Sequence, residues 1–170
     1  MQILKDILNR HIFPNDDIRQ KVDNFKNKKF TKNMIGVHVR FTDMKTDAEK
    51  IMQTVDKIFR KGKSAVFLAT DSKEMVGRFR RKYGEVITTK KWYPPANERM
   101  HTNRNCLDRE QNGREALVDM YLLAQCNSLV YSGKSSFGRL AELLSKSWKI
   151  FNINGQQKMR PLKLILAKYF

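Results

Sequence analysis

Residues able to hold a phosphorylated ligand follow three apolar runs of this chain. Arg40 ends the run "MIGVHVR", with Thr42 and Asp43 just beyond it, and Asp71 follows the run "AVFLAT". The third group is the Ser-Gly-Lys-Ser-Ser bend at Ser132–Ser136. Guanidinium and hydroxyl groups and glycine-rich backbone suit phosphates, whereas carboxylates suit the hydroxyl and amine groups of a sugar or base. This combination of residue types predicts a nucleotide diphosphate site.

The bend resembles the phosphate loop of ATPases but does not have its spacing. That loop needs a glycine five residues before Gly133, and position 128 is Ser128. A strand end, a Ser/Gly turn and a helix start can still bind an anion, because free N–H groups and the helix dipole favour negative charge. On this stretch alone, the simpler alternative, that Ser135 or Ser136 only caps a helix, is favoured.

Composition predicts one folded domain over residues 1–170 with an anionic partner. The chain is 41% hydrophobic and 10% aromatic, and its net charge is +17. Such a charge attracts nucleic acid, phosphorylated ligands or acidic lipid headgroups. No apolar run reaches the ~20 residues of a membrane span. Two cysteines without metal-ligand spacing favour a reduced, cytoplasmic protein without a metal.

The hydrophobic pattern alternates between strands and helices. Predicted strands are Met34–Arg40, Ala65–Thr70, Glu85–Thr89, Leu129–Ser132 and "KIFNIN", and predicted helices cover about 47–61, 72–83, 114–125 and 137–146. Apolar strands alternating with helices indicate a parallel sheet with helices on both faces, a Rossmann-like α/β fold. Ligands bind such sheets at the carboxyl ends of the strands, so Arg40, Asp71 and the bend should meet in one crevice.

Three further segments frame this sheet. Residues 1–30 are predicted to form a helical lead-in, and the irregular stretch 90–113 a long surface loop. Residues 157–170 are predicted to form a basic tail helix. Packing on the domain is favoured for that tail, although a helix with a basic face could also lie on a membrane surface.

Three of these segments resemble, in order, the motifs of the GDP-fucose-dependent fucosyltransferases. "IGVHVRFTDMK" resembles their His-x-Arg-x-x-Asp motif, and "VFLATDS" their strand ending in Thr-Asp. "GREALVDMYLLAQCNSLVYSGKSSFGRLAELL" is similar to their third motif, an Asp-bearing helix followed by a strand and a Ser-Ser-Phe turn. The resemblance covers about residues 35–144 and includes the α1,6-, α1,2-, protein-O- and nodulation-type enzymes.

The resemblance implies the donor-binding carboxy-terminal half of an inverting GT-B enzyme, which binds its sugar nucleotide without a metal. Arg40 would contact the β-phosphate, with Asp43 fixing Arg40 or its turn. His38 and Asp119 would lie near guanine, and Asp71 would lie at the same crevice or cap a helix. Ser135, Ser136 and the backbone of Phe137 would hold the phosphate.

The predicted function is therefore fucose transfer from GDP-fucose to a glycan hydroxyl, with Asp47 or Glu49 as candidates for the acceptor's general base. A non-catalytic GDP-sugar-binding module, or a relative that needs a separate acceptor-binding domain, is the alternative. A basic nucleic-acid-binding protein ranks last, because no helix-turn-helix or RNP pattern occurs. Trp92 and Tyr93 could stack on a base or sugar, but a hydrophobic plug for the loop is favoured.

Overall fold

A computed structural model describes residues 2–95, 97–100, 103–147 and 149–154 of the chain. Helices and strands alternate along most of this part. The helices are α1 (Gln2–His11), α2 (Asp16–Lys29), α3 (Ala48–Ile58), α4 (Lys73–Tyr83), α5 (Arg109–Ala124) and α6 (Ser136–Leu144), and the strands are β1 (Met34–Val39), β2 (Ala65–Thr70), β3 (Val86–Ile87), β4 (Ser128–Tyr131) and β5 (Lys149–Asn152).

The strands form one five-stranded sheet in the order β3-β2-β1-β4-β5, and each neighbouring pair is parallel. After β1 the chain adds β2 and then β3 on one side of β1. It then crosses back and places β4 on the other side of β1. The strand order therefore reverses between β1 and β4, where Val37 pairs with Val130. In open α/β sheets, ligands bind outside the carboxyl ends of the strands at such a reversal. The predicted α/β fold with a parallel sheet is confirmed.

Strand side chains alternate between two helical layers because a strand has a period of two residues. Val37 and Val39 pack in the apolar cluster with α3 and α4. Phe67 and Tyr131 pack in the opposite cluster, with α2, α5 and α6. Met34 packs in that second cluster. Every second residue of a strand lies on the same face, so His38 and Arg40 lie on the face of Met34. Both polar side chains thus belong to the α5/α6 face of the sheet.

The close fit of α5 against β1 depends on a glycine. A Cβ atom at Gly36 would lie 2.9 Å from the Cys126 Sγ and 3.2 Å from the Leu123 Cδ2. Cys126 is buried in this contact, its thiol donates to the Leu122 carbonyl at 3.3 Å, and burial raises its pKa. The cysteine predicted to pack in the core does so, as a small apolar side chain.

Several helix boundaries follow from side-chain caps. Ser72 caps α4, its hydroxyl accepting from the Met75 amide, and Gly84 ends that helix at a φ of 81°. Asp108 caps α5 by accepting from the Gln111 amide. The helix predicted to start at Arg114 therefore begins five residues earlier, and the irregular segment before it is correspondingly shorter.

The other predicted boundaries differ by a few residues. The strand predicted at Glu85–Thr89 is reduced to the two residues of β3. The helical lead-in consists of α1 and α2 joined by residues 12–15. The predicted tail helix 157–170 lies outside the described residues. Within the part of the chain that the structure describes, no helix has the length and apolar character needed to cross a membrane.

Candidate functional site

A pocket of about 160 Å³ opens at the carboxyl edge of the sheet, on the α5/α6 face. We call it the switch-point pocket. Its lining residues come from β1, β2, the β3–α5 segment, α5 and α6: His38, Arg40, Ala69, Thr70, Asp71, Lys91, Met100, Ala116, Asp119 and Phe137. Five of the predicted site residues therefore lie in one place, although up to 99 residues separate them in the chain.

The Arg40 guanidinium is oriented by Asp43. Its Nε donates to the Asp43 Oδ1 at 2.7 Å, and its Nη2 donates to the other carboxylate oxygen. This two-point pair fixes the plane of the guanidinium. The hydrogen bond to Asp43 raises the pKa of Arg40, while partial burial opposes the rise. Of the two expectations for Asp43, fixing Arg40 or fixing its turn, the structure shows the contact to Arg40. Arg40 keeps a permanent positive charge at the pocket.

Asp71 shapes the backbone that follows β1. Its carboxylate accepts from the Phe41 amide at 2.8 Å and from the Thr42 hydroxyl at 2.7 Å. The helix cap beside it is Ser72 and not Asp71. Asp71 therefore ties the end of β2 to the turn after β1 and holds that turn next to Arg40.

His38 stacks on Phe137 at the floor of the pocket. The two ring centroids are 4.9 Å apart with an interplanar angle of 27°. Burial, with the nearby positive charges of Lys91 and Arg40, lowers the pKa of His38 to about 3. The imidazole is therefore neutral near pH 7. Its Nδ1 is buried and has no hydrogen-bond partner among the described residues, which is uncommon for a buried polar atom.

Asp119 lies in the interior of the pocket and forms an ion pair with Lys91. Both side chains are only 4% exposed. The Asp119 Oδ1 also accepts from the Thr89 hydroxyl at 2.6 Å, while the Lys91 ammonium binds the Oδ2. The carboxylate is thus held from two directions. A cation, a carboxylate and a neutral imidazole face one small cavity.

The Ser132–Ser136 bend is organised by its own hydrogen bonds. The Ser135 amide donates to the Ser132 carbonyl at 2.9 Å, and the Ser135 hydroxyl caps α6 by accepting from the Gly138 amide. Ser136 and Phe137 occupy the first helical positions, whose amides have no acceptor within the helix. Phe137 reaches the pocket, whereas Ser135 and Ser136 do not line it.

The two candidates for a general base lie at the start of α3. Asp47 is exposed and caps α3 by accepting from the Lys50 amide at 3.0 Å. Glu49 is exposed and pairs with Arg78 of α4. Neither lines the switch-point pocket. Among the described residues, no cluster of His, Cys, Asp and Glu side chains is arranged to hold a metal ion.

A second cavity, the aromatic pocket, adjoins the first. It measures about 790 Å³, and its walls include Phe41, Thr42, Ser72, Trp92, Tyr93 and Pro94. Phe41 and Thr42 are held by the Asp71 carboxylate, which itself lines the switch-point pocket. The Lys91 ammonium lies 5.7 Å from the centroid of the Tyr93 ring. Asp71 thus connects the linings of the two cavities through its hydrogen bonds.

Sequence reasoning missed Lys91 and Thr89. Both follow β3 in an irregular segment without a motif, so only their position after a strand could have singled them out. Thr89 and Lys91 became part of the site because the chain after β3 turns toward α5, which brings Lys91 onto Asp119.

Comparison with known proteins places this geometry in a family. The family model of nodulation protein Z (NodZ) matches residues 2–166. Among curated protein sequences, none matches the chain significantly. A NodZ α-1,6-fucosyltransferase structure soaked with GDP-fucose is 28% identical, with a TM-score of 0.61, and the match covers 80% of this chain and 44% of that one.

Two more solved structures share the fold. A selenomethionine structure of fucosyltransferase NodZ from Bradyrhizobium is 27% identical, with a TM-score of 0.61, covering 80% of this chain and 44% of that one. The structure of POFUT1 in complex with GDP is 12% identical with a TM-score of 0.50, covering 81% and 47% respectively. This chain therefore spans less than half the length of the solved structures it resembles.

Proposed function

The chain belongs to the NodZ family, and from this membership we propose that it is a fucosyltransferase-like domain that binds GDP-fucose and transfers fucose, with inversion, to a hydroxyl of a glycan. The observation that carries the proposal is the convergence of His38, Arg40, Asp119 and Phe137 on one pocket at the strand-order reversal. A related enzyme with this fold and 28% identity has been soaked with GDP-fucose.

In this proposal the diphosphate lies between Arg40 and the start of α6. The guanidinium is already oriented by Asp43, so little side-chain entropy is lost when it binds phosphate. The first-turn amides at Ser136 and Phe137 add neutral donors at the positive end of a helix. As the bond between fucose and the diphosphate breaks, negative charge grows on the leaving GDP, and these fixed donors stabilise it.

The base would occupy the interior of the pocket. Guanine carries an N1–H and an N2 amine side by side, and the two oxygens of the Asp119 carboxylate can accept from both. The His38 side chain lines the same pocket. Because His38 is neutral, it adds no charge beside the base.

The acceptor glycan would lie in the aromatic pocket. Pyranose rings have apolar C–H faces that pack on aromatic rings, and Trp92, Tyr93 and Phe41 line this cavity. In this proposal the acceptor hydroxyl approaches the fucosyl group past Phe41 and Thr42, which the Asp71 carboxylate of the switch-point pocket holds. Asp47 and Glu49 are the two candidates for the base that takes the proton, and Asp47→Asn and Glu49→Gln would separate their effects on kcat.

Calorimetric titration with GDP tests the donor site. Arg40→Ala should weaken GDP binding by about 10- to 100-fold, since hydrogen bonds to charged groups contribute about 1.5–3 kcal/mol. Arg40→Lys should recover only part of the affinity, because an ammonium cannot make a two-point contact. Arg60→Ala, at an exposed turn before β2, is the matched control. Equal GDP affinity in Arg40→Ala and the unsubstituted chain would remove Arg40 from the site.

The same titration with EDTA and with added magnesium tests metal dependence. We expect equal affinity in both, because the proposed phosphate ligands are a guanidinium and amides. A large gain on adding magnesium would contradict this assignment of the ligands.

The second candidate function is a GDP-sugar-binding module without transferase activity of its own. It is favoured by one observation, that neither candidate for the general base, Asp47 or Glu49, lines the switch-point pocket. GDP release from GDP-fucose, measured with and without a glycan acceptor, distinguishes the two. Release that depends on the acceptor supports the enzyme, whereas tight GDP binding without any release supports the module.

A further inference from the structure

We propose that Lys91 is a positioning residue that sets the base preference of the switch-point pocket, by fixing both oxygens of the buried Asp119 carboxylate beside the base. This inference rests on the proposed function, because it concerns the nucleotide that the same pocket binds. Lys91 lies outside all three sequence motifs of the chain, in the segment between β3 and α5.

The Lys91–Asp119 pair differs from the other ion pairs in its burial. Both of its side chains are 4% exposed, whereas in every other ion pair formed by the described residues each partner is at least 14% exposed. Removing two charges from water is costly, and a buried ion pair is seldom more stabilising than an apolar pair of the same volume. Stability alone therefore gives a weak reason for this pair.

The location of the pair gives a better reason for its presence, because the pair lies at the switch-point pocket. Lys91 and Asp119 both line the switch-point pocket, together with His38 and Arg40. The charge of Lys91 reaches His38, where it helps to lower the pKa of the imidazole. The pair is thus part of a pocket wall and is not enclosed in the apolar core.

The geometry at Asp119 leaves its carboxylate both fixed and charged. Thr89 donates to the Oδ1 at 2.6 Å and Lys91 binds the Oδ2, so one neutral and one cationic donor define the carboxylate plane. Each oxygen has a second lone pair for a ligand. Without the ammonium, the carboxylate would lose one of the two donors that fix its plane.

The position of the two carboxylate oxygens selects the base. An ionised carboxylate offers two acceptors, which match the adjacent N1–H and N2 amine of guanine. Adenine has an N1 acceptor beside its N6 amine, so one carboxylate oxygen would face a lone pair. By holding both oxygens of Asp119 in place, Lys91 favours guanine over adenine.

The test compares the affinities of the full chain for GDP, ADP and inorganic pyrophosphate by calorimetry. In Lys91→Met, the ratio of GDP to ADP affinity should fall by about tenfold or more, because one mismatched charged contact contributes at least about 1.4 kcal/mol. Pyrophosphate affinity should change by less than about twofold, since the Arg40 contact is intact. Lys91→Arg should restore the GDP preference. Lys90→Met, at the exposed neighbour, should leave the ratio unchanged.

A double variant covers the case in which Lys91→Met leaves a buried charge and does not fold. Lys91→Met with Asp119→Asn removes both charges together. The asparagine amide offers one acceptor and one donor in place of two acceptors, so the ratio of GDP to ADP affinity should fall in this variant as well.

An unchanged GDP:ADP ratio in Lys91→Met, or in the double variant, would overturn the role of Lys91 and leave the proposed function intact. Equal losses of GDP and pyrophosphate affinity would assign Lys91 to the phosphates instead. If the unsubstituted chain binds neither GDP nor pyrophosphate, the proposed function fails as well.

Discussion

At the scale of single residues, the switch-point pocket combines groups that are costly to bury. His38 stacks on Phe137 with an unpartnered nitrogen, and Asp119 and Lys91 are removed from water as a pair. Proteins keep such groups where a ligand supplies the missing contacts. Arg40, by contrast, is partly exposed and already paired with Asp43, so it can meet an incoming diphosphate without a large rearrangement.

The buried imidazole makes stability sensitive to acid. The pKa of His38 is about 3 in the folded chain and near 6.5 when unfolded, so the unfolded state takes up the extra proton. The contribution of His38 to stability is therefore complete above pH 6.5 and is lost as the pH falls from 6.5 toward 3. Between about pH 7 and pH 5 this loss should amount to ~2 kcal/mol.

Urea unfolding of the unsubstituted chain and of His38→Phe at both pH values measures this loss. The variant keeps a ring to stack on Phe137 but has no proton to gain, so its stability should fall less on acidification. Equal acid sensitivity in the two proteins would show that His38 is not buried in the neutral form.

At the scale of secondary-structure elements, the site depends on how closely α5 packs on the sheet. Asp119 reaches the pocket because Gly36 lets Cys126 and Leu123 approach β1. Gly36→Ala places a methyl group 2.9 Å from the Cys126 Sγ and should lower the free energy of unfolding by about 1–3 kcal/mol.

Gly113→Ala is the matched control, because Gly113 lies within α5 and a Cβ there meets nothing within 4 Å. Since alanine is the better helix former, that change should raise the free energy of unfolding by up to about 1 kcal/mol. Chemical denaturation of both variants measures whether the free energy of unfolding falls in Gly36→Ala and rises in Gly113→Ala. A stable Gly36→Ala protein with unchanged GDP affinity would show that α5 can shift without disturbing Asp119.

The segment between β3 and α5 contributes to both cavities, with Lys91 in one and Trp92 in the other. If the aromatic pocket holds the acceptor, Trp92→Ala should raise the KM for a glycan acceptor by about tenfold, as expected for an aromatic contact of about 1.4 kcal/mol. GDP affinity should stay the same. Steady-state kinetics together with GDP titration separate the two sites. A loss of GDP affinity with no change in KM would assign Trp92 to the donor.

At the scale of the whole molecule, the net charge of +17 must be separated from specific binding. Lys21, Lys28, Lys29, Lys90 and Arg114 line a groove between α2 and α5, so polyanions will be attracted whatever the true ligand is.

We expect affinity for duplex DNA to fall by more than about tenfold between about 50 and 200 mM salt, because DNA binding releases condensed counterions. GDP, which has no such counterion layer, should lose less than about fivefold. Fluorescence titrations across this range provide the comparison. DNA affinity that resists salt, without GDP binding, would favour the nucleic-acid-binding alternative.

The sequence by itself determined the fold class and most of the elements. Continuous apolar runs such as Ala65–Thr70, alternating with segments of helical periodicity, indicate a parallel sheet covered on both faces. The sequence alone could show this because the hydrophobic pattern of each element is a local property. Strand ends carrying Arg40 and Asp71, and the turn before Phe137, could be assigned to one edge by topology alone. The motifs also indicated the family, which the match over residues 2–166 confirms.

Only the tertiary structure decided which side chains face the cavity and what each one contacts. The start of α5 was missed because the cap at Asp108 lies in a stretch without periodicity. The cap of α6 was predicted at Ser135 or Ser136, and the structure places it at Ser135. Lys91, by contrast, lies on Asp119 although 28 residues separate them in the chain. Such pairings depend on how an irregular segment crosses the sheet edge. Local propensity carries no information about that path, because it is set by the packing of all the elements together.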